Sequence, residues 1–222
     1  NAKNKSTYYP AASYCFGANI KLKNILTETF RKNNIVAELN NLKTQMNEFE
    51  NNLDRRKINT ITDLQTKIIV KERLLDSKNY LKKGFEDIND KKSSTYDLAY
   101  AIERFYSAVS WSKFFDKGEK LLTLKSSQIR DSCLNKITEA EERYQYIKLI
   151  TPFQLDSTRK ELDYAYNHME KGDNELCLFK ASKAKAELDV TLSAMNVREE
   201  KLGELIDEKL SATEEQIIQE TE

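Results

Sequence analysis

"IVAELNNLKTQMNEFENNL", residues 35–53, is the stretch whose reading decides the fold. Its apolar side chains fall at Ile35, Leu39, Leu42, Met46, Phe49 and Leu53, at spacings of four, three, four, three and four residues. A strand would alternate with period two. This repeat is that of an amphipathic helix with a heptad seam. A second stripe follows at Ile61, Leu64, Ile68, Leu75, Leu81, Phe85 and Ile88. Between them, "DRRKINTIT" offers Thr60 or Thr62 as an N-cap, with Asp63 or Gln65 three residues later, the pattern of a capping box. Two long stripes joined by a short turn predict an antiparallel coiled-coil hairpin over residues 35–90.

The rest of the 222 residues agrees with helix. Five glycines and two prolines are too few to punctuate a β-sandwich or barrel. Charged residues make up 32% and hydrophobic residues 39%, a balance that suits packed helices rather than disorder. The expected fold is therefore all-α: an elongated helical bundle with the long hairpin and further helical hairpins of tetratricopeptide-like character.

Outward from the hairpin, residues 1–10 read as a linker or junction, with Asn1-Ala2 as a cloning remnant, and 11–34 as an initial helix. Residues 91–197 read as a bundle of helical hairpins. In it, Ser94 caps an aromatic helix that runs from about Tyr96 to Asp116 and stops at Gly118. Thr151, Pro152 and Gln154 form a further capping pattern. Gly172 breaks one helix from the next, with small residues five and twelve positions on, at Cys177 and Ala184, as in a tetratricopeptide turn. Pairing "DLAYAIERFYSA" with "ELCLFKASKAKA" sets Leu98 against Leu176 and Ala108 against Ala186, which hints at related hairpins. Residues 198–222 read as an acidic amphipathic helix.

The composition also bounds function. Lys+Arg and Asp+Glu are both 36, so the formal charge is zero, yet Glu199–Glu222 holds nine acids against two lysines. The balancing positive charge is interleaved with acids and forms no aromatic-flanked patch, so nucleic acid is not an expected partner. No run approaches the ~20 apolar residues of a membrane span, so a membrane is expected to be met only through segments outside this chain. Cys15, Cys133 and Cys177 are far apart, each within an amphipathic pattern that suits a small core residue. His168 is the only histidine, which leaves a zinc or di-metal site without enough ligands, and no metal or other cofactor is expected. Tyr164, Tyr166 and His168 form a polar-aromatic group that suits a core or groove lining. No glycine-rich phosphate loop, GxSxG or HExxH occurs, so no catalytic residue is assigned. The expected partner is protein. A single two-helix seam cannot hide Val36, Ile69, Val70 and Leu74, which makes them the candidate partner-binding surface.

One stretch stands apart. "YYPAASYCFGAN", Tyr8–Asn19, resembles the segment that follows the protease domain in an archaeal family of Lon-type serine peptidases, and "LFKASKAKAEL", residues 178–188, is a fainter echo. Members of that family carry a Ser-Lys catalytic domain, then a helical region, with hydrophobic membrane segments at one or both ends. Their catalytic serine lies in a glycine-rich loop that has no counterpart here. The resemblance thus implies a non-catalytic helical accessory region, for substrate or partner recognition, oligomer geometry or spacing, whose parent is an endopeptidase. The alternative is an independent helical adaptor or scaffold with no protease connection.

Overall fold

In the computed structural model the described residues, 8–29, 32–89, 95–118, 125–150, 155–195 and 197–221, are mostly helical, and no strand occurs among them. Side chains are described for these residues except 8–10, 29, 32–35, 87–89, 199 and 216–221. The expected caps at Ser94 and at Thr151-Pro152-Gln154 lie outside the described residues. So do the junction at residues 1–7 and the side chains of Ile35 and Ile88.

The α-helices are α1 (Tyr8–Thr29), α2 (Lys32–Asp54), α3 (Ile61–Asn89), α4 (Thr95–Trp111), α5 (Ser126–Ile150), α6 (Asp156–Glu170), α7 (Asn174–Ala194) and α8 (Leu202–Thr221). They belong to two compact units, Asn1–Leu124 and Lys125–Glu222. That boundary divides the stretch 91–197 expected to be one bundle, because α4 packs on α3 and α1 of the first unit. Helix α1 begins at Tyr8 and includes Pro10, three residues before the expected start.

In the first unit the heptad side chains Leu39, Leu42 and Met46 of α2 are buried against Leu74 and Leu81 of α3 and Leu98, Ala101, Ile102 and Phe105 of α4. The ring of Phe49 meets Phe105 edge-on at 5.6 Å. Asp54 pairs with Lys71 at 3.2 Å, and Glu50 pairs with Lys78, so the contacts climb one helix while descending the other. At the start of α3 the capping box forms at Thr60 and Asp63. Thr60 Oγ1 accepts the Asp63 N–H at 3.0 Å, and Asp63 Oδ2 accepts the Thr60 N–H at 3.0 Å.

Helix α4 stops at Trp111, before the expected Asp116, and passes into a 3-10 turn at Ser112–Phe114. The left-handed residue is Asp116, at φ 62°, a conformation that aspartate tolerates better than most. Gly118 serves a different purpose. A Cβ there would lie 2.6 Å from Thr60 Oγ1, so only glycine lets this strand of chain press against the capping box.

In the second unit Cys133, Ile137 and Ala140 lie along one face of α5, and Cys177, Ala181, Ala184 and Leu188 along one face of α7. All are buried. Small side chains on both faces let the helices approach closely, and a disulfide joins Cys133 to Cys177 with the Cα atoms 5.8 Å apart. The expectation of small core cysteines is met in burial by Cys133 and Cys177, whose covalent pairing was not foreseen, and is corrected at Cys15, which is exposed on α1. Gly172, at φ 76°, ends α6 as expected, and Asp173 then caps α7. The offset of 78 residues carries into packing at one pair and not the other: Leu98 and Leu176 are both buried, whereas Ala108 is buried and Ala186 is exposed.

Candidate functional site

The four residues expected to form an uncovered strip do not share one. Val36 is 41% exposed and Ile69 is partly buried, whereas Val70 and Leu74 are 0% and 2% exposed. The correction has a simple cause. Helix α3 carries two apolar stripes because it has two neighbours: α2 covers one and α4 the other. Leu74 sits in the core shared with α4, and Val70 packs with Leu53, Ala108 and Phe115.

An uncovered apolar face does exist, on α1. Its inner side rests on α4, where Phe16 meets Tyr100 edge-on at 5.9 Å and Ile20 and Thr27 are buried. Thr95 Oγ1 donates to Asn24 Oδ1 at 2.7 Å beside it. On the outer side Tyr14 is 79%, Leu22 61% and Ile25 58% exposed. Ala11, Cys15, Ala18, Leu22 and Ile25 recur at spacings of four, three, four and three residues, so one helix carries two opposed apolar faces. That double pattern was present in the sequence; the stretch Tyr8–Asn19 was instead read as a junction. Exposed Cys15 lies on this outer stripe and is the free cysteine, the other two being bonded to each other.

A shallow groove of about 310 Å³ runs between α2 and α3. Met46, Leu81 and Phe85 form its floor, and Lys43, Lys78 and Lys82 its rim. Lys78 is already paired with Glu50 and Lys82 with Glu86, which leaves the groove little net charge.

The ionic clusters hold helices together. Arg104 of α4 bonds Glu72 at 3.0 Å and Asp76 at 2.8 Å on α3. Glu161 of α6 forms an ion pair with Lys180 at 3.0 Å and accepts a hydrogen bond from Lys183 at 2.8 Å, both on α7. Burial pushes the Glu161 carboxyl up, but the two lysines outweigh it and hold the group below the usual carboxylate range. Burial likewise raises Asp63, and the N–H groups of Asp116, Asn59 and Thr60 reverse it. Burial raises the phenols of Tyr100 and Tyr166, which keeps them protonated. Each of these shifts moves the pKa of its group further from neutral pH. A general acid or base is tuned the other way, towards the working pH.

Tyr164, Tyr166 and His168 do not converge. Tyr164 is half exposed beneath the Lys180 ammonium at 5.5 Å, Tyr166 packs on the core around Cys133, and His168 is buried with its Nδ1 3.8 Å from Asp173 Oδ2. Among the described residues no group of His, Cys, Asp or Glu is placed to hold a metal ion, and no helix is long and apolar enough to cross a membrane. Compared with known protein families, curated proteins and solved structures, the chain matches none of them.

Proposed function

We propose that this chain is a non-catalytic, protein-binding helical module, and that it serves as the accessory region of a Lon-type serine peptidase whose Ser-Lys site lies outside these residues. The observation that carries the reading is the outer face of α1. The segment that resembles the sequence after a Lon-type catalytic domain, Tyr8–Asn19, lies on the same helix that turns Tyr14, Leu22 and Ile25 outward, although only Tyr14 of the three falls within it. An apolar stripe of this kind on a helix already packed on its other side marks a contact surface. The direction of the pKa shifts supports a scaffold held by ion pairs rather than a site poised for proton transfer.

Two finer features belong to the same proposal. The α2–α3 pair is read as an antiparallel coiled-coil hairpin, supported by burial of Leu39, Leu42, Met46 and Leu53 at heptad spacing. The α6–α7 pair is read as tetratricopeptide-like, supported by the left-handed Gly172 and by the buried small residues Cys177 and Ala184. In this reading the units set the spacing and geometry of the parent protein, and the α1 face meets polypeptide.

The peptidase link is tested by the coding frame upstream of Asn1. A domain with a glycine-rich serine loop and a later lysine supports it. A frame that opens on an unrelated domain overturns it and favours the independent adaptor.

A further inference from the structure

The two units differ in how their cores are filled. In the first, Leu39, Met46, Leu74, Leu98, Ile102 and Phe105 supply large side chains, and that cluster contains no cysteine. In the second, the buried cluster at the disulfide is Cys133, Ile137, Ala165, Cys177 and Ala181, in which Ile137 is the one large group. Tyr166, Met169 and Leu178 close its edge and are only partly buried. The same end buries polar side chains close to Cys177 in sequence, at His168, Asn174, Glu175 and Lys180. Burying these stabilises less than burying hydrocarbon, because their bonds to water have to be replaced. The larger apolar groups Ile147, Leu155, Leu162 and Leu188 gather in a separate cluster towards the other end of α5 and α7.

The packed helices α5 to α7 run from Ser126 to Ala194, about 70 residues, while α8 packs chiefly on the turn Glu199–Lys201. A core of that size without staples rarely holds a folded-to-unfolded ratio much above about a thousand. The small and polar side chains at one end place this unit low in that range. Closing the 44-residue separation between Cys133 and Cys177 multiplies the ratio by about a thousand. The covalent bond therefore contributes as much as the packing does. We propose that joining Cys133 to Cys177 is what folds the second unit, so that the chain reaches its working form only where thiols are oxidised and loses it on reduction. Two electrons and two protons from a dithiol turn the S–S bond into two thiols, and the dithiol closes into its own cyclic disulfide. Glutathione disulfide reverses the change and leaves as two glutathione thiols. Both sulfurs are buried, so the exchange waits for the unit to open.

The test uses the intact chain carrying Cys15→Ala, a change at an exposed position that leaves a single cysteine pair. The chain is unfolded in guanidinium, reduced with a dithiol, and returned to native buffer that still holds the reductant. Trp111, the only tryptophan, reports the first unit, and amide exchange read by peptide mass spectrometry reports each helix. Trp111 emission and the protection of α2 to α4 should return. Amides of α5 to α7 should exchange at least about a hundredfold faster than in the oxidised chain, until glutathione disulfide is added and the pair forms. A smaller acceleration, protection of α5 to α7 that returns before any oxidant, or an equal loss in α2 to α4 would overturn the proposal. Cys133→Ala with Cys177→Ala gives a second reading without reductant. It should exchange like the reduced chain, and protection like that of the oxidised chain would overturn the proposal. Helix α1 belongs to the first unit, so either result leaves the protein-binding reading to its own test.

Discussion

The Asp63 carboxylate accepts the backbone N–H of Asp116 at 2.9 Å, across 53 residues of sequence. Its other oxygen accepts the N–H groups of Asn59 and Thr60. One buried side chain thus caps α3 and also fixes the chain leaving α4. Replacing Asp63 with alanine removes the cap and leaves buried N–H donors without acceptors, at a cost of about 2–3 kcal/mol. Denaturant unfolding monitored by Trp111 fluorescence measures it. Because the folded carboxyl lies below the ordinary value of 3.8, its contribution is fully present above that pH. It is lost as pH falls below 3.8 through the folded value, and the alanine variant should lack that part of the acid sensitivity.

Gly118 makes a second, separable prediction at the same corner. An alanine Cβ would meet Thr60 Oγ1 at 2.6 Å and Thr60 Cβ at 2.8 Å. Gly118→Ala should destabilise the first unit by about 1–3 kcal/mol, as overpacking does elsewhere. In a Thr60→Ala background, which removes the Oγ1 that the new methyl would strike, the further cost of Gly118→Ala should be smaller; an unchanged cost would mean it arises elsewhere.

Arg104 bridges Glu72 and Asp76, which stand one turn apart on α3. Arg104→Ala leaves two partly buried carboxylates facing each other and should cost about 2–4 kcal/mol. Removing Glu72 alone should cost less, because Asp76 still holds the guanidinium. A double-mutant cycle in chemical denaturation checks the order, and equal losses would refute it.

The Cys133–Cys177 disulfide closes a 44-residue separation between α5 and α7. Its removal relaxes the unfolded chain and should lower the stability of the second unit by about 4 kcal/mol. Both residues are fully buried, so reductant should act only when the unit opens. Reduction rate and global unfolding rate should rise together with denaturant. Fast reduction of the native unit would contradict this.

Much of the fold was legible from local pattern. Heptad spacing at Leu39, Leu42, Met46 and Leu53, the Thr60–Asp63 box and Gly172 are short-range signals, and each corresponds to a helix face, a start or a stop. What was not legible depends on which helices meet. Val70 and Leu74 read as surplus because a hairpin has one seam, and only the packing of α4 on α3 supplies the second. The pairing of Cys133 with Cys177 needs α5 and α7 side by side. For the candidate site, the outer stripe of α1 was readable at Ala11, Cys15, Ala18, Leu22 and Ile25, but an unusual composition at Tyr8–Asn19 suggested a junction instead. Pattern shows that a face is apolar; packing alone shows whether it is covered.

We propose that this chain binds protein through α1 and performs no hydrolysis. Titrating the intact chain into fluorescein-labelled casein tests both halves at once, with anisotropy reporting binding and gel analysis reporting cleavage. Anisotropy should rise and then hold steady over time with casein intact, and Leu22→Glu with Ile25→Glu should abolish the rise. Sustained cleavage that survives repurification, or binding indifferent to the α1 substitutions, would contradict it.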